Sequence, residues 1–119
     1  MALSDMGLIP HDFVAPTKRQ SKERETDTEA YFKRQVSRLG GRAMKFKSPA
    51  TRSRPDQIAV LPVNHIFFCE LKAEGVKPSD AQLDEHRKLR AVGATVHVAD
   101  TKAAVDEVLR IELIEASLK

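Results

Sequence analysis

Two acidic residues and a lysine are spaced so that they could act chemically as a set. Asp56 opens an apolar run, DQIAVL, that ends at Leu61, and Glu70 lies in the next run, HIFFCEL from His65 to Leu71, with Lys72 just after it. Pro62-Val63-Asn64 separates the two runs, which predicts a hairpin. A turn centred on Val63 pairs each residue with its mirror image about that position, so Asp56, seven residues before, faces Glu70, seven after. Directly opposed residues have Cβ atoms about 4.5 to 5.5 Å apart, so both carboxylates can reach one cation with oxygen ligands at about 2.0 to 2.6 Å. Without a cation they repel. Strand alternation puts Glu70 and Lys72 on the face of Asp56, with Phe67, Cys69 and Leu71 on the other. Two acids and a lysine at the end of an apolar hairpin are what metal-assisted phosphodiester hydrolysis requires. The acids hold Mg²⁺ or Mn²⁺, the ion activates water and polarises a phosphoryl oxygen, and the ammonium steers the nucleophile and offsets developing charge. An isolated Glu-x-Lys is common where a strand end reaches solvent. Pro-Asp at one strand start, thirteen residues, then Glu-x-Lys at the end of its partner is more specific. A slip of one residue in register would turn Asp56 to the wrong face.

Other elements must hold this hairpin. Thr26 followed by Glu29 fits a capping box, Tyr31, Phe32, Val36 and Leu39 recur at helical spacing, and Gly40-Gly41 is a stop signal, so a first helix is expected over about 27 to 39. Residues 42 to 47 (RAMKFK) alternate as a strand does, and SPATRSRP is a polar, proline-bounded loop. Ser79 with Gln82 caps a second helix whose stripe is Leu83, His86, Leu89 and Val92, ended by Gly93. Ala94 to Ala99 is a strand. Asp100 or Thr101 caps a last helix to about Ala116, with Val105, Val108, Leu109, Leu113 and Leu118 apolar. The order α-β-β-β-α-β-α makes an α/β fold, a mixed β-sheet flanked by helices. Residues 1 to 25 lack periodicity and read as a loose basic N-terminal arm before a single domain over 26 to 119.

The charge points to a polyanion. The net of +3 hides a segment from Lys18 to Arg54 with twelve basic and four acidic residues, while the stretches on either side are acidic. Clustered Lys and Arg bind phosphates through counterion release; a solvated helix face with a disordered arm would give the same count. Lys45, Lys47, Arg52 and Arg54 are the candidate DNA contacts, positioning rather than specifying, with Lys45 equally readable as a solvated strand lysine. One cysteine excludes a disulfide framework, and no apolar run approaches the roughly 18 residues of a membrane span, so a cytoplasmic protein with no membrane partner is expected. His65, His86 and His97 fall on a turn, a helix and a strand with no i, i+4 pair, which argues against zinc. Cys69 is expected in the core, pointing away from Glu70.

Pro55-Asp56 with Glu70-Leu71-Lys72 resembles the PD-(D/E)XK nuclease signature, and more narrowly its VRR-NUC branch. The resemblance rests on Glu29, Gly40-Gly41, Lys45, Arg54-Pro55-Asp56, the run Phe67 to Lys72, Ser79 with Gln82, and Gly93 to Val98 in that order, over about residues 26 to 100. It implies a restriction-endonuclease-like sheet, Mg²⁺ or Mn²⁺ dependence, and structure-directed cutting of DNA at junctions, flaps or nicks. By the same resemblance Asp56 and Glu70 are metal ligands beside the Leu71 carbonyl, Lys72 is the catalytic lysine, Glu29 a further acid, and Gln82 faces the site. Read without it, Glu29 and Gln82 are capping-box partners of Thr26 and Ser79. Where the family carries glycine and a small apolar residue before Pro-Asp, this chain has Ser53-Arg54. The alternative is a non-catalytic nucleic-acid-binding module on the same fold. Cutting both strands of branched or duplex DNA takes two sites related by a two-fold axis, so a homodimer is expected, with the surplus apolar residues of the last helix (Ile111, Leu113, Ile114 and Leu118) and the N-terminal arm as candidate contacts. A small catalytic chain of this kind suits a bacterial or phage-infected host cytoplasm, by analogy alone.

Overall fold

The computed structural model describes residues 22–46 and 54–119. The arm over residues 1–21, Lys47 and Arg52 lie outside the described residues. The elements are α1 (Glu25–Arg38), β1 (Arg42–Lys45), β2 (Gln57–Leu61), β3 (His65–Leu71), α2 (Asp80–Ala91), β4 (Val96–Ala99) and α3 (Lys102–Ser117). This is the expected order, in one sheet running β1-β2-β3-β4. The first three strands are antiparallel neighbours and β4 joins β3 in parallel, a pairing that needs a crossover, here through α2.

The hairpin register is the one the turn predicted: Leu61 pairs with His65 and Gln57 with Cys69, centred on Val63. The turn holds Val63 and Asn64 at φ of 67° and 58°. The left-handed region suits asparagine but crowds a β-branched valine. Alternation then sorts β3. His65, Phe67, Cys69 and Leu71 are buried in the core with Phe32 and Val36 of α1 and Val105, Val108 and Leu109 of α3, while Ile66 is exposed on the opposite face. Phe67 meets Phe32 edge-on with ring centroids 6.2 Å apart. Burial raises the Cys69 thiol pKa, as expected of an inert core cysteine.

Several element ends differ from expectation. The first helix begins at Glu25, with Arg24 as N-cap and Asp27 as its capping-box partner, in place of Thr26 and Glu29. Arg24 has no side-chain acceptor to offer; the Asp27 carboxylate instead turns back, its Oδ2 accepting the Arg24 backbone N–H at 3.4 Å and the Nε–H at 3.2 Å. Just before the helix, the Glu23 backbone exchanges hydrogen bonds with Glu74, and its carboxylate accepts from the Lys102 N–H. The helix ends as Gly40-Gly41 predicts. Gly40 takes φ +84°, its N–H reaches the Ser37 carbonyl, and the Gly41 N–H reaches that of Val36.

The second helix keeps its Ser79–Gln82 box, but only His86 of its predicted stripe is fully buried; Leu83 and Val92 are exposed. Thr101 caps the third helix through its hydroxyl. There the expected stripe fails at its end: Leu113 and Leu118 are exposed and Glu112 is buried instead. Glu112 accounts for two of the histidines. His65 Nε2 lies 2.8 Å from its Oε1 and His97 Nε2 2.7 Å from its Oε2, so residues far apart in sequence join β3, β4 and α3.

Candidate active site

The site lies at the end of β3 away from the turn. Asp56 precedes β2 and turns its carboxylate to the backbone of the partner strand, where Oδ1 accepts the Leu71 N–H at 3.1 Å. The first turn of α1 reaches the same spot. Glu25, Glu29 and Asp56 each offer an oxygen, all within 4.8 Å of one another. Among the described residues this is the group of three or more ligand-type side chains that could hold a metal ion. Burial pushes the Asp56 carboxyl up to about 6; the Leu71 N–H opposes that rise, and the charges of Glu25 and Glu29 add to it. An apolar setting and three converging carboxylates favour a cation at this position.

Glu70, near enough for the Asp56 charge to act on it, is only 3% exposed. Its Oε2 is 3.3 Å from the Gln82 Nε2 and 3.9 Å from the Lys72 Nζ, while His86 Nε2 stands 3.6 Å from Oε1. Oε1 has no hydrogen-bond partner. Burial, then the charge of Asp56, pushes Glu70 up to about 8, against the pull of Lys72. A carboxyl so placed prefers to be neutral unless a cation is supplied from outside.

Of the residues expected at the site, Asp56 and Glu29 are brought together, as are Glu70, Lys72 and Gln82. Gln82 has two jobs. Its Oε1 accepts the Ser79 N–H at 2.8 Å while its Nε2 reaches Glu70, so the cap and the site share one side chain. Glu29 is also tied to lysines, Lys33 at 3.5 Å and Lys45 at 3.4 Å. Lys45, a candidate phosphate contact, is thus held by an acid of the cluster. Arg54 lies over the Phe46 ring at 5.7 Å.

Two residues of the site were not singled out from sequence. Glu25 stands one helical turn before Glu29, on the same face, and the signal was hidden because the helix was expected to begin after it. His86 is likewise four residues after Gln82 and was read as an ordinary member of an apolar stripe. Its burial lowers its pKa, and the charges of Arg90 and Lys72 add to that.

Known proteins resemble this chain in sequence and fold. No family model matches the chain. The chain is 43% identical over 79 residues to a protein of Acyrthosiphon pisum secondary endosymbiont phage 1 described as "Putative nuclease p44", covering 66% of this chain and 85% of that one. It also superposes on a solved "VRR_NUC domain" with a TM-score of 0.69 and 32% identity, covering 74% of this chain and 96% of that structure. The chain belongs to the VRR-NUC family. The mixed four-stranded sheet with three flanking helices is the VRR-NUC fold, and the resemblance drawn from Pro55-Asp56 and Glu70-Leu71-Lys72 is correct at the level of family and fold. Membership makes the chain nuclease-like. No helix among the described residues is long and apolar enough to cross a membrane.

Proposed function

We propose that this VRR-NUC protein is a divalent-metal-dependent endonuclease that hydrolyses phosphodiester bonds of structured DNA, four-way junctions first and flaps or nicks second. The observation carrying the proposal is the convergence of Glu25, Glu29 and Asp56 beside a buried Glu70 that has an unpartnered oxygen and a lysine 3.9 Å away. All the donors are carboxylate oxygens, with no thiol or imidazole among the three converging acids. That set fits a hard cation such as Mg²⁺ or Mn²⁺, held by Asp56 and Glu70 with the Leu71 carbonyl and Glu25 or Glu29 alongside. When bound, such an ion supplies Lewis-acid polarisation of the scissile phosphate.

The chain's own residues do the positioning. Leu71 fixes the Asp56 carboxylate through its N–H, and Gln82 holds Oε2 of Glu70. Lys72, largely buried, keeps its ammonium beside Glu70, where it can orient a nucleophile and offset charge growing on the phosphate. Lys45, beside Glu29, and Arg54, over the Phe46 ring, are suited to backbone phosphates, with Lys47 and Arg52 proposed to extend that contact.

Cleavage of a symmetric junction needs two such sites, and we infer a homodimer. Exposed Leu113, Ile114 and Leu118 on and just beyond α3 support that reading. The decisive experiment incubates the protein with four-way junction, flap, nicked and linear DNA in Mg²⁺ or Mn²⁺, alongside Asp56→Ala, Glu70→Ala and Lys72→Ala. Loss of cutting in all three variants, with DNA binding retained, is the expected result. Cutting that survives Asp56→Ala and Glu70→Ala would sink the proposal, and DNA binding with no metal uptake would assign a binding module instead. Light scattering at tens of micromolar reads the dimer; a monomer there removes it.

A further inference from the structure

His86 is wholly buried on α2, and neither of its ring nitrogens has a hydrogen-bond partner. Its Nε2 points at Oε1 of Glu70 from 3.6 Å, and that oxygen is equally unpartnered and buried. Two adjacent buried polar groups, each lacking the partner the other could be, are uncommon in folded proteins. A leucine would fill the same helical position with no polar atom to satisfy, so an imidazole there calls for an explanation beyond packing. The other carboxylate oxygen already has its donor in Gln82, which lies one helical turn before His86 on the same face of α2.

We propose that His86 is a positioning residue for Glu70: its Nε2–H closes onto Oε1, so that Gln82 and His86 each hold one oxygen and fix the carboxylate plane presented to the cation. The inference rests on the metal-nuclease reading. Metal-binding carboxylates are themselves commonly held by hydrogen bonds, and losing such a partner typically weakens metal binding about 10- to 100-fold. The required movement is small. Closing from 3.6 Å to an ordinary N–H···O distance of about 2.9 Å takes less than 1 Å, within reach of a rotation of the Glu70 carboxylate alone.

Manganese titration calorimetry on the full chain, compared with His86→Leu and His86→Gln, tests this without any turnover. Leucine removes the donor, whereas glutamine can return an N–H near the Nε2 position. The expected result is Mn²⁺ affinity down about 10- to 100-fold in His86→Leu and substantially recovered in His86→Gln, with thermal melts showing both variants folded. Wild-type Mn²⁺ affinity in His86→Leu overturns the inference and leaves the nuclease reading intact. Wild-type protein that binds no Mn²⁺ overturns both.

The wild-type imidazole supplies a variant-free check should His86→Leu fail to fold. With Mg²⁺ present, long-range ¹H–¹⁵N spectra should place the His86 proton on Nε2. A proton on Nδ1 with Nε2 bare refutes the assignment, because such a ring cannot donate to Glu70.

Discussion

The site carboxylates should make the metal-free protein less stable than it could be, and Glu70→Gln measures by how much. In the folded protein Glu70 has its pKa raised from 4.5 to about 8 by burial and by the charge of Asp56. The native state therefore holds that proton more tightly than the unfolded chain does. The stabilisation is fully present below pH 4.5 and is lost as pH rises to about 8. At about 1.4 kcal/mol for each pH unit of that interval, linkage sets a ceiling near 5 kcal/mol. Repacking and water entry when the carboxylate ionises reduce it, and we expect about 2 kcal/mol. Glutamine keeps the shape and an acceptor for Gln82 without the charge. In a chelator at pH 9, Glu70→Gln should melt roughly 8 °C above wild type, since 1 kcal/mol moves the midpoint of a domain of about this size by about 4 °C. At pH 4 the two should melt together. Saturating Mn²⁺ should reverse the order at pH 8, because an ion at 100 times its dissociation constant stabilises wild type by about 2.7 kcal/mol and the variant far less. Equal melting of the two proteins at pH 9 in chelator would refute the argument that burial and Asp56 strain this acid.

Other parts of the fold can be tested the same way. Glu112→Ala strips the shared partner from His65 and His97 and should cost about 3 kcal/mol, as leaving buried polar groups unpartnered does; urea melts with a loss under about 1 kcal/mol would deny the cluster that role. Gln82→Glu keeps an acceptor for the Ser79 N–H but removes the donor to Glu70, so helix content by circular dichroism should hold while Mn²⁺ affinity drops. Gly41→Ala drives a Cβ into the Val60 carbonyl and against the Leu61 backbone, so it should destabilise by more than about 1 kcal/mol and expose the β1–β2 amides to hydrogen exchange; wild-type protection would count against the close approach. Val63→Asn relieves a left-handed valine on an exposed turn and should raise the melting midpoint by a few degrees, about 1 kcal/mol.

The parts of the structure legible from sequence were those fixed by short-range rules. The mirror pairing about Val63 gave the hairpin register, because a tight turn leaves few alternatives. Ser79–Gln82 and Gly40-Gly41 marked helix ends, because a cap is a local hydrogen-bond pattern. The same register set Asp56 near the end of β3, where its carboxylate accepts the Leu71 N–H, but the acids that converge on it, Glu25 and Glu29, come from α1. The start of α1 was missed because Arg24 is a poor cap by type, with no acceptor of its own, and it is the Asp27 carboxylate reaching back to the Arg24 N–H that closes the turn. Glu25 was lost with it. The pairing of His65 and His97 through Glu112 could not be read at all, since it depends on how α3 lies across the sheet, a long-range fact with no local signature.

The two buried glutamates differ in how far the fold satisfies them. Glu112 and Glu70 are 2% and 3% exposed, and each has imidazole nearby. Glu112 has both oxygens within 2.8 Å of a histidine nitrogen, so its polar groups are satisfied by the fold. Glu70 has one oxygen held at 3.3 Å and the other unpartnered, with a further acid close enough to raise its pKa. Burying a carboxyl without its full set of partners destabilises a protein, and mutational drift toward an apolar residue would relieve it. Retaining such a group makes physical sense where a cation completes it. That contrast supports the proposed reading, in which the end of β3 carrying Glu70 is the working end and the His65 end anchors it.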